Sequence, residues 1–215
     1  PVAPPGTYQV RMLVDGQPVK TESFNVLKDP RGNATQADLD AQFALLIQIR
    51  DRLSDANNGV RTIRNVKYQL TESGAKLRGR DSTAFARAAN QFAERLSKVE
   101  QELYQVKNRS GQDPLNFPIR LNNEIAALTN HVASGESAPT KQAYEVFDLL
   151  SKRLDVQLAA LKSVLDADLP RINAMLEKAG QAKIVPSTEE LGPDTSRGIV
   201  DDGNELREEK EKYWH

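Results

Sequence analysis

Apolar residues spaced seven apart run through most of this chain and leave few folds open to it. Leu39, Leu46, Leu53 and Val60 form one such series, and Ile49, Ala56, Ile63 and Leu70 interleave with it. Two interleaved series make a continuous apolar seam along one side of a helix, the pattern of helices that pack lengthwise on one another. Thr35, with Asp38 three residues on, marks the start as a capping box in which Asp replaces the usual Glu. A helix from Gln36 to about Ser73 would be roughly 57 Å long at 1.5 Å per residue. A rod of that length needs long partners.

The partners follow in order. Gly74 and Gly79 punctuate a basic turn, after which Phe85, Phe92, Val99 and Val106 recur at sevens with Ala89, Leu96 and Leu103 between them, predicting a second helix over Thr83 to Lys107. The run from Ser110 to Pro114 is a stop, and Pro118 opens a short third helix carrying Leu121, Ile125, Leu128 and Val132. Residues 134–139 read as a loop, and Thr140 starts a long fourth helix in which Phe147, Leu154 and Leu161 alternate with Leu150, Leu158, Leu165 and Ile172. Pro170 lacks the N–H that would bond the Asp166 carbonyl, so a kink or break is expected there. The pattern resumes through Met175 and Leu176 and ends at Gly180, a good C-terminal stop. The expected fold is mainly α: a long antiparallel up-down bundle of three to four helices, coiled-coil-like and gently left-handed.

A strand signal precedes the bundle. Residues 7–14 and 19–26 are rich in β-branched and aromatic side chains and flank Asp15-Gly16, a pair suited to the positive φ angles of a tight hairpin turn. An isolated two-stranded hairpin is marginal in water. Either it packs on the helices, or it is the end of a larger sheet whose other strands lie elsewhere. Pro1, Pro4 and Pro5 resemble the remains of a connecting loop, which favours the second reading. The expected organisation is a hairpin over 1–27, a helical bundle over 28–186 and an acidic, largely disordered or extended tail over 187–215.

Composition bounds the class. With 39% hydrophobic and 27% charged residues in 215, the chain reads as a globular protein with a real core. It has no cysteine, which removes disulfides and thiolate chemistry, and no apolar run long enough for a transmembrane helix. Its start lacks the basic and apolar regions of a signal peptide. The net charge of −1 hides an acidic tail: residues 187–215 hold nine acids against four bases, which leaves +4 on the rest. That excess is small for a nucleic-acid binder, and none is expected as a partner.

Residue patterns that would carry catalysis are sparse. His131 and His215 are the two histidines, neither in a ligand-spaced cluster, so no metal, cofactor or catalytic residue is assigned. Acid pairs such as Glu100 with Glu102 and Asp166 with Asp168 fall on different helix faces. The basic set Arg61, Arg64, Lys67, Lys76, Arg78, Arg80 and Arg87 is the charge cluster to weigh. It would bind an acidic partner, a polyanionic glycan or the acidic tail, or it is simply a solvated helix end. Tyr213 and Trp214 close the chain, either docked or as an anchor for another protein.

Several stretches carry a resemblance: Pro-Gly-Thr-Tyr-Gln-Val-Arg (5–11), Val-Asp-Gly-Gln (14–17), Asp-Pro-Arg (29–31), Gln-Ile-Arg-Asp-Arg-Leu-Ser (48–54), Pro-Ile-Arg-Leu-Asn-Asn (118–123) and Ala-Pro-Thr-Lys-Gln-Ala-Tyr-Glu-Val-Phe (138–147). In this order they resemble the C-terminal region of large bacterial exported proteins with BNR-repeat, sialidase-like or sortilin-like β-propellers. The resemblance covers about residues 5–186 and implies an exported, periplasmic or cell-surface location. It also implies that the hairpin is the last one of an immunoglobulin-like or FlgD-like sheet, and that any catalytic or ligand-binding residues lie upstream. The acidic tail is not part of that pattern.

Two functional expectations result. In one, the chain is a non-catalytic structural and protein-interaction module whose hairpin completes a sheet from another segment or chain. Its bundle then acts as a spacer or assembly surface, with oligomers allowed. In the other, it is the accessory end of an exported glycan-acting or peptide-binding propeller protein whose site lies elsewhere. Its partner is then the rest of its own parent.

Overall fold

The computed structural model describes residues 1–108 and 110–189. The order of elements is β1 (Gly6–Val14), β2 (Gln17–Val26), α1 (Gln36–Lys76), α2 (Gly79–Leu103), a single 3-10 turn (Asp113–Leu115), α3 (Leu121–Val132) and α4 (Lys141–Lys178). The chain is thus mainly helical, a bundle preceded by a hairpin. By compactness it divides into two units, one comprising residues 1–53 with 125–151 and the other 54–124 with 152–215.

In the first unit, α1 begins as its sequence dictates. The Thr35 hydroxyl accepts the Asp38 N–H (3.2 Å), while the Thr35 N–H and hydroxyl both donate to the Asp38 carboxylate (2.8 and 2.7 Å). These donors, with Lys28 nearby, hold the Asp38 carboxyl below the usual aspartate range. The linker before it is braced by Asp29. Its carboxylate accepts the Arg31 backbone N–H (2.9 Å) and takes the guanidinium on both oxygens (3.0 and 2.8 Å), which lowers its pKa as well. Gln42 then ties α1 to the end of α3 by donating to the Val132 carbonyl (2.7 Å), and Arg52 donates to the Ser151 carbonyl of α4 (2.9 Å).

In the second unit, α2 runs against α1. Gly74 lies against Phe85 at one level and Gly59 against Leu103 at another. Gly59 also faces Leu158 and Leu161, so α4 joins the same seam. The heptad residues fill it: Ala56, Ile63, Phe92, Leu96, Leu103, Leu154 and Leu176 have no exposed surface. Of the seam residues expected along the chain, Leu53, Phe147, Leu158 and Leu165 are half-buried.

Several expected boundaries move, each for a local reason. Helix α1 runs past Ser73 to Lys76, and the Arg78 guanidinium takes the carbonyls of Ala75 (2.6 Å) and Leu77 (2.9 Å) that the helix end leaves open. Helix α2 starts at Gly79 rather than Thr83 and stops at Leu103 rather than Lys107. Val106 therefore leaves the seam and is 40% exposed. The chain turns there to bury Gln105 instead, whose amide donates to the Pro118 carbonyl at 2.8 Å. Helix α3 starts at Leu121, three residues after Pro118.

Of the kink or break expected at Pro170, the break does not occur. Helix α4 is continuous from Lys141 to Lys178 with Pro170 inside it, and Pro170 and Asp166 are exposed residues. The stop at Gly180 is as expected. Its φ is +67°, its N–H bonds the Glu177 carbonyl (3.0 Å), and the Gln181 N–H bonds that of Leu176 (2.8 Å). That is the two-bond cap of a left-handed glycine.

Candidate functional site

The hairpin is built as its residues require. Asp15 (φ 49°) and Gly16 (φ 78°) form the turn, and the antiparallel register sets Tyr8 opposite Phe24, Val10 opposite Glu22 and Met12 opposite Lys20, with a shift between Met12 and Leu13. Side chains alternate across a strand, so this register sorts them by face. One face carries Tyr8, Val10, Met12, Phe24 and Val26 around a Lys20 to Glu22 ion pair of 3.1 Å. The other carries Thr7, Gln9, Arg11, Thr21, Ser23 and Asn25, with the Thr7 hydroxyl on the Asn25 amide oxygen at 2.8 Å, and near the turn the exposed Leu13 opposite Pro18.

No residue of either strand is buried. Val10 is 58% exposed, Met12 54% and Phe24 50%. The Tyr8 and Phe24 rings stack at 6.0 Å between centroids, and the Tyr8 hydroxyl donates to the Pro4 carbonyl at 2.6 Å. At the foot of the hairpin an open cleft of about 1100 Å³ is lined by Pro4, Leu27, Leu39, Phe43, Leu46 and Ala133 among others. Leu27 stands 83% exposed beside it.

The basic set does not act as one group. Arg64 and Lys67 are spent on Glu100, at 2.9 and 2.6 Å on its two carboxylate oxygens, and Arg64 also lies over the Tyr104 ring at 4.8 Å. Glu100 is only 6% exposed, so these cations neutralise a buried charge rather than face a ligand. Arg78 is committed to helix carbonyls. Arg61, Lys76, Arg80 and Arg87 are exposed, Arg61 about four turns from Lys76 along α1 and the last two on α2. Tyr213 and Trp214 lie outside the described residues.

The acid pairs separate as expected. Glu100 faces Arg64 and Lys67 while Glu102 sits 3.9 Å from Arg120; Asp166 pairs with Lys162 while Asp168 pairs with Arg95 at 2.8 Å. His131 is exposed at the end of α3. Among the described residues no three His, Cys, Asp or Glu side chains gather as a metal site needs, and no helix is long and apolar enough to cross a membrane.

No family model, curated protein or solved structure matches this chain. The site must therefore be read from its own geometry. One arrangement there has no counterpart in the sequence patterns. Residues 181–189 leave α4 without regular structure, bend at Thr188 and Glu189, and form a strap held in the second unit by side-chain amides. Asn173 donates to the Ile184 carbonyl (3.0 Å) and accepts the Ile184 N–H (2.7 Å). Gln69 does the same for Val185 (2.8 and 3.2 Å), and Asn65 donates to the Glu189 carbonyl at 2.9 Å.

Proposed function

We propose that this chain is a non-catalytic structural and interaction module. Its hairpin completes a β-sheet supplied by another segment or another chain, and its helices serve as spacer or assembly surface. The observation that carries this reading is the sorting of the hairpin into one mainly apolar and one mainly polar face while the apolar face stays open to solvent. A two-stranded ribbon gains little stability from its own bonds, and burial of one face is what makes a sheet stable. Five apolar side chains aligned on one side are worth placing there only if something covers them. Both outer strand edges also carry unpaired backbone groups, which are the recognition elements of strand addition.

Two of the four buried polar residues among those described, Glu100 and Gln105, support the non-catalytic half of the reading. Glu100 and Gln105 are each consumed in bracing contacts between neighbouring segments. On the resemblance to exported propeller proteins, the covering sheet is immunoglobulin-like and belongs to the same parent, whose own site lies in that other part.

Amide hydrogen exchange on the chain alone tests the proposal. The amides of Gly6–Val14 and Gln17–Val26 are expected to exchange rapidly while those around Ile49 and Ile63 stay protected, and a Tyr8→Asp/Phe24→Asp variant should melt at the same temperature as the parent chain. Strong protection of the hairpin together with a lowered melting temperature in that variant would show that it already rests on its own helices, and the proposal fails.

A further inference from the structure

The strap is held in a way that reads backbone. In an extended segment the N–H and C=O of one residue point to the same side and those of the next residue to the other. Asn173 of α4 pairs with both groups of Ile184, and Gln69 of α1 pairs with both groups of Val185. Each side-chain amide thereby stands in for the backbone of a neighbouring strand, one on each edge. The Gln69 amide is itself fixed by a bond to the Asn65 oxygen at 2.6 Å, and Asn65, 1% exposed, reaches on to the Glu189 carbonyl.

Side chains alternate as the backbone does. Ile184 is 2% exposed, buried in the second unit, whereas Val185 is 66% exposed. Ala182, Lys183, Thr188 and Glu189 also face solvent. One side chain of the strap is thus fully buried, as an aliphatic anchor; Gln181, Pro186 and Ser187 are half-buried, Lys183 pairs with Glu177 of α4 at 3.2 Å, and the amide contacts are to main chain, open to any extended peptide.

We propose that Asn65, Gln69 and Asn173 form a main-chain clamp that binds extended peptide, and that residues 181–189 are its built-in occupant. A partner segment with an isoleucine or valine at the anchor position displaces them. Displacement is feasible because little secures the strap: five side-chain to backbone hydrogen bonds, one anchor and the exposed Lys183 to Glu177 ion pair are set against the ordering of a segment with no regular structure. The Gly180 turn that precedes it is a ready hinge, and tethering keeps the occupant at high local concentration until a competitor arrives. This clamp is independent of the hairpin and of what covers it.

The test uses the full chain carrying Ile184→Asp, which removes the anchor, and a fluorescent peptide of residues 181–189 followed by anisotropy. The peptide is expected to bind this variant at least ten times more tightly than the parent chain, whose own strap competes. Adding Asn173→Ala should weaken that binding at least tenfold, and a peptide with Asp at the anchor should not saturate. Absence of binding to a variant whose helical circular dichroism is unchanged, or equal binding of both peptides, overturns the proposal. A second measurement stands apart from any variant. On the parent chain the Ile184 and Val185 amides should exchange by local opening, well ahead of those at Val66 and Ile172, and equal rates would mean that the strap opens only when the whole unit unfolds.

Discussion

Lys67 of α1 brings its ammonium to 2.6 Å from Glu100 Oε2 of α2, and Arg64 one turn back takes the other oxygen of the same carboxylate. The two cations keep a quarter to a third of their side-chain surface in water, at 26% and 33%, while the Glu100 side chain keeps 8%. The asymmetry decides which substitution matters. Removing the carboxylate lets both cations turn outward to solvent; removing the cations strands a charge in the core.

The double variant Arg64→Ala/Lys67→Ala is therefore expected to cost more than Glu100→Ala. An uncompensated buried charge costs about 3–5 kcal/mol, and the partial exposure of this site lowers the expectation to roughly 2–3 kcal/mol. For Glu100→Ala, roughly 1–2 kcal/mol is expected from lost bonds and packing. Urea unfolding at neutral pH measures both, and the reverse order would show that the carboxylate is not the element that needs its partners.

The two glycines inside α1 should respond unequally to an added side chain. A Cβ on Gly74 would meet Phe85 at 3.4 Å, an ordinary contact, whereas one on Gly59 would come within 3.2 Å of Leu158 and 3.3 Å of Leu103. Glycine in a helix interior costs about 0.5–1 kcal/mol relative to alanine. Gly74→Ala should recover most of that, and Gly59→Ala distinctly less, because the leucine tips must give way. Gly59→Leu overfills the seam and should cost at least about 2 kcal/mol. Denaturation midpoints decide, and a stabilising Gly59→Leu would mean that the three helices are not closely packed there.

These contrasts mark what the sequence could tell. The seven-residue recurrence of Leu39, Leu46 and Val60, or of Phe85, Phe92 and Val99, reports burial directly because only apolar groups lie in the seam. The hairpin was equally legible, since Asp15-Gly16 names its turn by local backbone preference. The Glu100 site was not, although its signal existed: Glu100 follows Leu96 by four residues, and Arg64 and Lys67 follow Val60 and Ile63 by four, so all three flank the seam. Reading the bases as one cluster concealed it. The clamp was illegible for a stronger reason. Asn65, Gln69 and Asn173 are polar residues of the kind that usually face water, and what joins them is a strap distant from α1 in sequence. Val106 misled in the opposite sense, because the recurrence at sevens continues past the point where the chain bends to bury Gln105.

Asp38 gives a pH signature. Its carboxyl is held below the usual aspartate range chiefly by the Thr35 hydroxyl and also by the Thr35 N–H. A carboxylate whose folded pKa is depressed adds stability that is fully present above the unfolded-state pKa and fades as pH falls through the folded value. The parent chain should thus lose stability on acidification below the ordinary aspartate pKa more steeply than Asp38→Asn. Carbon-detected titration of Asp38 should place its midpoint below that of an unstructured aspartate, and a midpoint at or above it would mean that the capping box is not formed in solution.

Pro170 offers the cleanest probe of how α4 survives an imide in its interior. The ring removes the bond to the Asp166 carbonyl and crowds the preceding turn, which in an exposed helix costs up to about 3 kcal/mol. Part of this is offset because proline also restricts the unfolded chain, by about 0.4–1 kcal/mol. Since the helix continues to Lys178 regardless, burial of Ile172 and Leu176 on either side of the next turn must hold it together. Pro170→Ala should accordingly raise stability by about 1–2 kcal/mol. In the Pro170 background Ile172→Ala should cost more than it does in Pro170→Ala, since the packed side chain compensates for the missing backbone bond. A double-mutant cycle in urea measures the coupling, and strict additivity would show that tertiary packing is not what carries the helix past the proline.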